Sequence, residues 1–146
     1  MALTQGRKTQ ERDGKHFSFG VKANAVIHQG GLVMLAAGLA IAARSGQGAD
    51  QAAQQADAAT LKVVGIAEEG QTGTAVDGEA RVPVKRGTFL FKNSGGGDAI
   101  TAADIGADCY AVDDETVAKT SNTNTRAKAG TIVDVESDGV WVRVGA

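Results

Sequence analysis

The sequence is poor in the residue types that carry out chemistry. Its 146 residues include one cysteine, two histidines, one tryptophan and one tyrosine, and aromatic residues make up only 4% of the total. A single cysteine excludes an intramolecular disulfide, and two histidines are too few for a histidine-rich metal site. The two histidines are also separated, with His16 in a polar N-terminal stretch and His28 beside a turn. These absences argue against a metalloenzyme and against a disulfide-stabilised secreted domain.

Proline is almost absent, whereas glycine is abundant. One proline and 20 glycines are distributed among short runs of valine, isoleucine, leucine and alanine. Because glycine favours turns and β-branched residues favour strands, this distribution predicts a mainly β protein. Its core must be built from aliphatic side chains, each of which contributes only about 1.5–3 kcal/mol when buried. We therefore expect association with copies of the chain, or with a larger partner, to supply part of the stability.

Hydrophobic runs long enough to cross a membrane are missing as well. The run that comes nearest is Leu32–Ala43, and its twelve residues are too few to span a bilayer. Ala37-Gly38 at its centre predicts a turn between two short buried strands. The first sixteen residues are polar and lack the apolar segment of a signal peptide. We expect a soluble protein with no membrane partner.

Charge is distributed unevenly along the chain. Residues 1–22 hold five basic residues against two acidic ones, a balance of +3, so the total of −2 leaves −5 for the remainder. A basic arm on an acidic body fits docking to an acidic protein surface, and an arm that only adds solubility fits equally well. Nucleic-acid binding requires a basic domain, so we predict no nucleic-acid partner.

Residues 1–20 are predicted to form an extended N-terminal arm. The segment from Thr4 to His16 is polar and shows the period of neither a helix nor a strand. Phe17 and Phe19 lie on one face of an extended segment, so they are the expected anchor of the arm. Residues 21–146 are predicted to form a single β-barrel or β-sandwich domain of short strands, with one or two short helical turns.

Three segments of the first half predict particular elements. Val21–His28 is the expected first strand, and Leu61–Ala67 is a strand in which Gly65 marks a bulge or the close approach of another backbone. Between them, Ser45–Thr60 is rich in alanine, glutamine and aspartate. This composition predicts either a short helix capped by Asp50 or a surface loop.

The segment after residue 79 alternates between apolar and polar residues, as a half-buried strand does. Pro83 cannot donate a ladder hydrogen bond, so Ala80–Lys85 is predicted to be an edge strand or to have one free side. The next strand, Thr88–Lys92, places Phe89 and Phe91 together on one face. We expect that face to be core.

A helical turn and a hairpin are predicted next in the second half of the chain. Thr101 is expected to cap a single helical turn over Ala102–Ile105. Tyr110–Val112 and Thr116–Lys119 are two apolar runs separated by Asp113-Asp114-Glu115. This arrangement predicts a hairpin.

Gly130–Val144 is the best-specified local element, a β-hairpin. Asp138-Gly139 is a two-residue loop that tolerates positive φ, and β-branched runs flank it. With this loop as the turn, the pairs across the hairpin are Val133–Val144, Val135–Val142, Asp134–Arg143 and Glu136–Trp141. The valines are expected to face the core. Trp141 is then either exposed as a contact between subunits or buried within a two-sided hairpin.

No catalytic or cofactor motif is recognisable. Cys109 has no base or orienting group in a known motif and is best interpreted as a small buried hydrophobic residue. The acidic residues between 104 and 115 lack the spacing of a calcium loop, and Asp113-Asp114 is explained by turn formation. The glycines at 95–97 lack the lysine and Ser/Thr of a phosphate loop. We therefore predict a binding or structural protein rather than an enzyme, with no cofactor and no metal.

Four motifs occur in series along the chain. They are Val64–Ala67 (VGIA), Val84–Phe91 (VKRGTFLF), Ala99–Gly106 (AITAADIG) followed by Tyr110–Asp114 and Thr116-Val117, and Ala129–Val142. Their order and spacing resemble the small capsid decoration (cement) proteins of tailed bacteriophages and prophages, from about Val21 onward. The N-terminal arm and the Ser45–Thr60 segment depart from the pattern of that family.

The resemblance implies a structural protein of the virion, made in the cytoplasm of the bacterial host and located on the outer surface of the capsid. The implied partners are the major capsid protein and copies of the chain itself, as a homotrimer. Its implied role is to stabilise the expanded shell by bridging neighbouring capsomers. An alternative is a non-catalytic carbohydrate-binding or adhesin module of β-sandwich type, for which Trp141 and Tyr110 are the candidate aromatic contacts.

Seven residues are the candidate contacts to the capsid or to another subunit. The arm supplies its cations and its aromatic anchor, and the closing hairpin supplies its tryptophan. They are Arg7, Lys8, Arg12, Lys15, Phe17, Phe19 and Trp141.

Overall fold

The chain folds into short strands with one helix, which confirms the mainly β class. The computed structural model describes residues 2 and 4–145; Met1 and Leu3 of the predicted arm and Ala146 of the predicted domain lie outside the described residues. The helix is α1 (Gln51–Thr60), and single 3₁₀ turns cover Gly96–Asp98 and Ala102–Asp104. The strands are β1 (His16–Gly20), β2 (Val26–Ile27), β3 (Leu32–Ala36), β4 (Leu39–Ala42), β5 (Leu61–Ala67), β6 (Gln71–Thr72), β7 (Arg81–Lys85), β8 (Gly87–Asn93), β9 (Asp108–Ala111), β10 (Thr116–Ala118), β11 (Lys128–Glu136) and β12 (Gly139–Val144).

Five of the first seven strands build an antiparallel sheet in the order β1-β7-β5-β3-β4. The other two, β2 and β6, pair with each other. The sheet curls until its outer strands meet, because Val21, just after β1, forms a bridge to Ala40 of β4. The Lys22 backbone N–H donates to the Ala40 carbonyl at 3.1 Å. Because of this bridge, the sheet is itself almost closed into a barrel.

Strands β8 to β12 form a closed barrel in the order β10-β8-β12-β11-β9. Pairing of β9 with β10 completes the circle. The pairs are antiparallel except for β8 with β10, where Thr116 lies opposite Lys92. β12 lies between β8 and β11, so the closing hairpin belongs to the wall of the barrel. Of the two predicted architectures, the structure contains the barrel.

The barrel and the sheet share one hydrophobic core. Leu32 and Met34 of β3 belong to the same buried cluster as Val117, Val140 and Val142 of the barrel. Side chains alternate along a strand, so the residues between them point to the opposite face of the sheet. There a smaller cluster contains Val21, Ile27, Val33, Ala40, Ala67, Val82 and Val84. One face of the sheet is therefore covered by the barrel. The opposite face encloses the smaller cluster as a second core.

The Ser45–Thr60 segment contains a helix, as one of its two interpretations predicted. Asp50 is the N-cap of α1, and its carboxylate accepts a hydrogen bond from the Ala53 backbone N–H at 2.8 Å. Arg44 lies before the helix and ties it down, since its Nη1 is 2.6 Å from Oδ2 of Asp57. This hydrogen bond holds the pKa of Asp57 below its ordinary value.

Several predicted elements are confirmed. β3 and β4 are joined by the predicted turn at Ala37-Gly38. The pairing of β5 with β3 shifts register near Gly65, and a side chain at Gly65 would also meet the Lys85 carbonyl oxygen. Phe91 is buried, and Phe89 packs against the same cluster. The hairpin of β9 and β10 and the 3₁₀ turn after Thr101 are present as well.

The predicted first strand, Val21–His28, is wrong for most of its length. Only β2, Val26–Ile27, is strand within it. Asn24 adopts a positive φ of 63°, which turns the chain between the Val21 bridge and β2. The regular structure begins earlier instead, because residues 16–20 of the predicted arm form β1.

β7 is not an edge strand, so that alternative for Ala80–Lys85 is wrong. It lies between β1 and β5. Its ladder with β5 covers only Val84 and Lys85 and stops where Pro83 meets Glu68. The Glu68 backbone N–H donates to the Pro83 carbonyl at 2.9 Å, and proline has no N–H to return the bond. The other alternative, a strand with one free side, holds only for residues 81–83, since Val84 and Lys85 are paired on both sides.

The predicted register of the closing hairpin is wrong. Glu136 lies opposite Gly139, so the two-residue loop is Ser137-Asp138 rather than Asp138-Gly139. The other pairs are Val135–Val140, Asp134–Trp141, Ile132–Val142 and Thr131–Arg143. Because the shift is an even number of residues, Val142 and Val144 still face the core and Trp141 still faces outward.

A bulge in β11 overturns the predicted place of one valine. The pairing with β12 skips a residue between Ile132 and Asp134. Ile132 takes the inward position and is 1% exposed, whereas Val133 is 44% exposed. Val133 is therefore a surface residue, not the core residue that alternation predicted.

Candidate interaction surfaces

The four predicted cations of the arm lie in a segment without helix or strand. Residues 4–15 are exposed throughout. Arg7 bonds within the segment, from its Nε to Oγ1 of Thr9 at 3.4 Å. The arm thus presents Arg7, Lys8, Arg12 and Lys15 to solvent, where a partner with carboxylates can reach them.

The root of the arm is fixed by the two predicted aromatic anchors. The rings of Phe17 and Phe19 stack with their centroids 6.3 Å apart. Two guanidinium groups lie over the Phe17 ring, that of Arg12 at 4.6 Å and that of Arg86 at 4.4 Å from its centroid. Contacts of this kind stabilise a cation beside an aromatic face. The structure therefore joins three predicted residues, Arg12, Phe17 and Phe19, in one cluster.

Arg86 is part of this cluster although the sequence did not single it out. Its backbone N–H donates to the Lys15 carbonyl at 2.8 Å, which continues the β1–β7 ladder by one bond. Its Nε is buried without a hydrogen-bond partner among the described residues. In the sequence Arg86 only follows an alternating strand, and that position does not predict a contact across 69 residues to Phe17.

A side-chain contact holds the arm to the turn after β5. Nδ1 of His16 lies 3.1 Å from Oε1 of Glu68, and its Nε2 lies 4.0 Å from Oδ2 of Asp13. Both carboxylates are exposed enough to be strongly solvated, so each contact is weak by itself. Together with the β1 ladder, these contacts fix where the arm leaves the body.

Trp141 is on the outer face of the barrel, apart from the arm cluster. Its neighbours in β12, Val140 and Val142, point inward and are fully buried. Across the strands Trp141 lies opposite Leu90 of β8 and Asp134 of β11. The tryptophan is partly exposed, so the hairpin is not buried on both sides. The structure thus places the seven predicted contact residues in two separate surfaces.

Several acidic residues between 98 and 115 are engaged in structural contacts. Hydrogen bonds from Thr120 and Arg126 lower the pKa of Asp98. A bond from the Thr101 backbone N–H at 2.8 Å lowers the pKa of Asp104. Asp113 accepts from two backbone N–H groups of the β9–β10 turn. Within the described residues, no group of three metal-ligating side chains converges.

Cys109 lies inside the barrel and is fully buried. Desolvation raises the pKa of its thiol to about 12. The nucleophilic thiolate is therefore not available at neutral pH, as expected of a cysteine that only fills space.

A groove between α1, β5 and the barrel was not predicted. It consists of two adjoining hollows of about 530 and 560 Å³ that share Val63 and Lys128. Its cations are Lys62, Arg126, Lys128 and Arg143, and no carboxylate lines either hollow. Sequence reasoning missed it because its walls combine β5 with β9 and β11, which are distant from β5 in the sequence.

Comparison with known protein families, with characterised proteins and with solved structures gives no match. None of the helices in the part of the chain that the structure describes has the length and apolar composition needed to cross a membrane.

Proposed function

We propose that this chain is a capsid decoration protein that binds the outer surface of an assembled phage shell and stabilises it in the expanded state. The observation that carries the proposal is the arm: twelve exposed residues, 4–15, that are rich in cations and rooted on the sheet at Phe17. An exposed basic arm on an acidic body suits an acidic protein partner. The motif resemblance supports the major capsid protein as that partner.

A folded body with an arm rooted on its sheet at β1 suits the bridging of neighbouring capsomers. The body contacts one subunit, and the arm extends over the joint to the next. A protein that binds the expanded shell and not its precursor stabilises the expanded state by mass action. Many copies with modest contacts then add up, because each shell offers many equivalent sites.

The remaining parts of the proposal follow from the resemblance. The protein is located on the outside of the virion, has no catalytic role and associates with copies of itself. The homotrimer stays a prediction. Sheet extension through β7, which the predicted edge would have allowed, is not part of the proposal because β7 is an inner strand.

Binding to shells tests the proposal. Empty expanded shells of the major capsid protein encoded with this chain are mixed with the purified protein, and occupancy and shell melting are measured. We expect saturable binding and a higher melting temperature of the shell. Shells that neither bind the protein nor gain heat resistance would rule the function out.

A charge-reversal pair isolates the arm. The variant Arg7→Glu/Lys8→Glu should weaken shell binding at least tenfold, since each lost contact is worth about 1 kcal/mol and reversal adds repulsion. The matched control, Lys22→Glu/Lys62→Glu, changes net charge equally at two exposed lysines of the body. Equal loss in both variants would mean that net charge, not the arm, governs binding.

A glycan array, with no binding expected, tests the carbohydrate alternative.

A further inference from the structure

The outer face of the barrel carries an exposed apolar strip across three neighbouring strands. Leu90 of β8 lies opposite Trp141 of β12, and Val133 of β11 is turned outward at the bulge next to Asp134. Leu90 is 41% exposed and Val133 is 44% exposed. Large apolar side chains grouped in this way mark an interaction surface more often than scattered ones do.

Opposite charges lie on either side of Trp141. Asp134 is its cross-strand neighbour on β11, and Arg143 follows it by two residues on β12 and so shares its face. Neither Asp134 nor Arg143 forms an ion pair within residues 4–145. The surface therefore contains one carboxylate and one guanidinium that are free to pair with a partner. They are about 7 Å apart along the strand direction.

We propose that this face binds the same face of a second copy of the chain about a two-fold axis. The axis lies between Trp141 and Arg143, so each copy donates the Arg143 guanidinium to the Trp141 ring and the Asp134 carboxylate of the other. The contact is isologous: both halves of the surface are satisfied by one rotation. Arginine stacked on tryptophan beside a carboxylate combines a cation–π contact with an ion pair.

The charge pattern favours a second copy over an unrelated partner. A partner of one sign would leave either Asp134 or Arg143 facing like charge, whereas a copy rotated by two-fold symmetry presents both signs in the required places. The basic arm is excluded as occupant for the same reason, since its cations would meet Arg143. The barrel wall has no unpaired strand edge, so the contact must be made by side chains.

The size of the face sets the expected affinity. Three strands of six residues cover about 14 Å by 20 Å. A stable complex buries roughly 800 Å² on each partner. The face is smaller than that, so we expect a micromolar dissociation constant and a dimer that dissociates on dilution.

Sedimentation and tryptophan emission of the purified wild-type chain test the contact without any shell. Trp141 is the only tryptophan, so its emission should shift to shorter wavelength as the mass rises from one copy to two. A particle of three copies, a monomer at several hundred micromolar, or a dimer without the emission shift would each overturn the two-fold contact. A particle of three copies would instead match the homotrimer of the proposed function. None of these results decides whether the protein binds shells, so shell binding and the two-fold contact can fail separately.

Three variants identify the residues. Trp141→Ser and Arg143→Glu should each raise the dissociation constant at least tenfold. Arg143→Glu combined with Asp134→Arg should recover part of the lost affinity, because the ion pair is re-formed with exchanged signs while the contact of Arg143 with the Trp141 ring stays lost. Val76→Ser, at an exposed valine elsewhere (57% exposed), is the matched control and should change nothing. No rescue by the double variant, or equal weakening by Val76→Ser, would contradict the assignment.

Discussion

Gly139 occupies a position that a larger residue fills only with strain. Its φ is 151°, and a side chain there would meet the backbone carbonyl oxygen of Phe91. β8 and β12 can approach only because this residue has no Cβ. The glycine that the sequence assigned to the hairpin turn therefore serves strand packing, and Ser137-Asp138 forms the turn instead.

Gly139→Ala should lower the free energy of unfolding by about 2–4 kcal/mol, since both the backbone conformation and the space are unfavourable. Gly95→Ala is the control, because Gly95 has a φ of −99° and open space around its Cα. It should change stability by less than about 0.5 kcal/mol. Urea denaturation measures both, and a Gly139→Ala variant as stable as Gly95→Ala would refute the packing argument.

Single residues with one dominant physical cause were predictable from the sequence. Cys109 is buried because it lies within an apolar run, and Asp113 hydrogen-bonds the turn that its type favours. Arg86 was not predictable, because its contact with Phe17 depends on where two distant strands meet. Local chemistry can be read from one segment, but contacts between segments need the sheet order.

At the scale of elements, alternation predicted the longer strands from β3 onward and most of their buried faces, but it missed β1 and placed a strand over Val21–His28. Alternation did not predict features that depend on pairing with other strands. β7 has Pro83, a residue typical of edges, yet β1 pairs with its full length and hides the signal. The bulge at Val133 likewise depends on how β11 must bend to close the barrel, and alternation within β11 does not encode that bend.

The tie between α1 and the segment before it can be tested through pH. Asp57 accepts hydrogen bonds from Arg44 at 2.6 Å and from the Gln47 backbone N–H at 2.8 Å. Its folded pKa is below the ordinary value of 3.8, so its contribution is complete above that pH and is lost as the pH falls through the folded pKa. Asp57→Asn should therefore lower stability by about 1 kcal/mol at neutral pH.

The difference between wild type and Asp57→Asn should shrink as the pH falls below 4, because the wild-type carboxylate is then protonated first in the unfolded chain and, at lower pH, in the folded chain. Thermal unfolding at pH 7 and pH 3 measures it. Asp138→Asn, in the exposed hairpin turn, is the control. A deficit of the same size at both values of pH would show that the side chain acts by shape and not by charge.

At the scale of the whole molecule, the arm and the body meet at β1. We expect that residues 1–11 can be removed without loss of stability, since the described residues among them, 2 and 4–11, are exposed and lie outside the strands. Removal of residues 1–20 takes away β1 and with it the packing of Phe19 on the smaller core. We expect this longer truncation to cost at least ~2 kcal/mol, the value of one buried aromatic side chain.

Guanidinium or urea titration of the two truncated chains distinguishes these outcomes. Equal stability of both would mean that β1 is only an accessory to the sheet. A loss in the shorter truncation would mean that the exposed segment has contacts with the body. We expect neither result. The contact of Phe17 with Arg86 survives removal of residues 1–11 and is lost on removal of residues 1–20.

The order of the strands along the chain has a consequence for biosynthesis. The strands of the sheet are complete at Lys85, whereas the barrel needs β12, which ends 59 residues later at Val144. At about 5–20 residues per second, a ribosome needs about 3–12 s to add them. During that time Leu32, Met34 and Leu61 of the nascent sheet lack the barrel side chains that cover them in the finished protein. The period in which the nascent chain can aggregate or bind a chaperone is therefore set by the speed of translation.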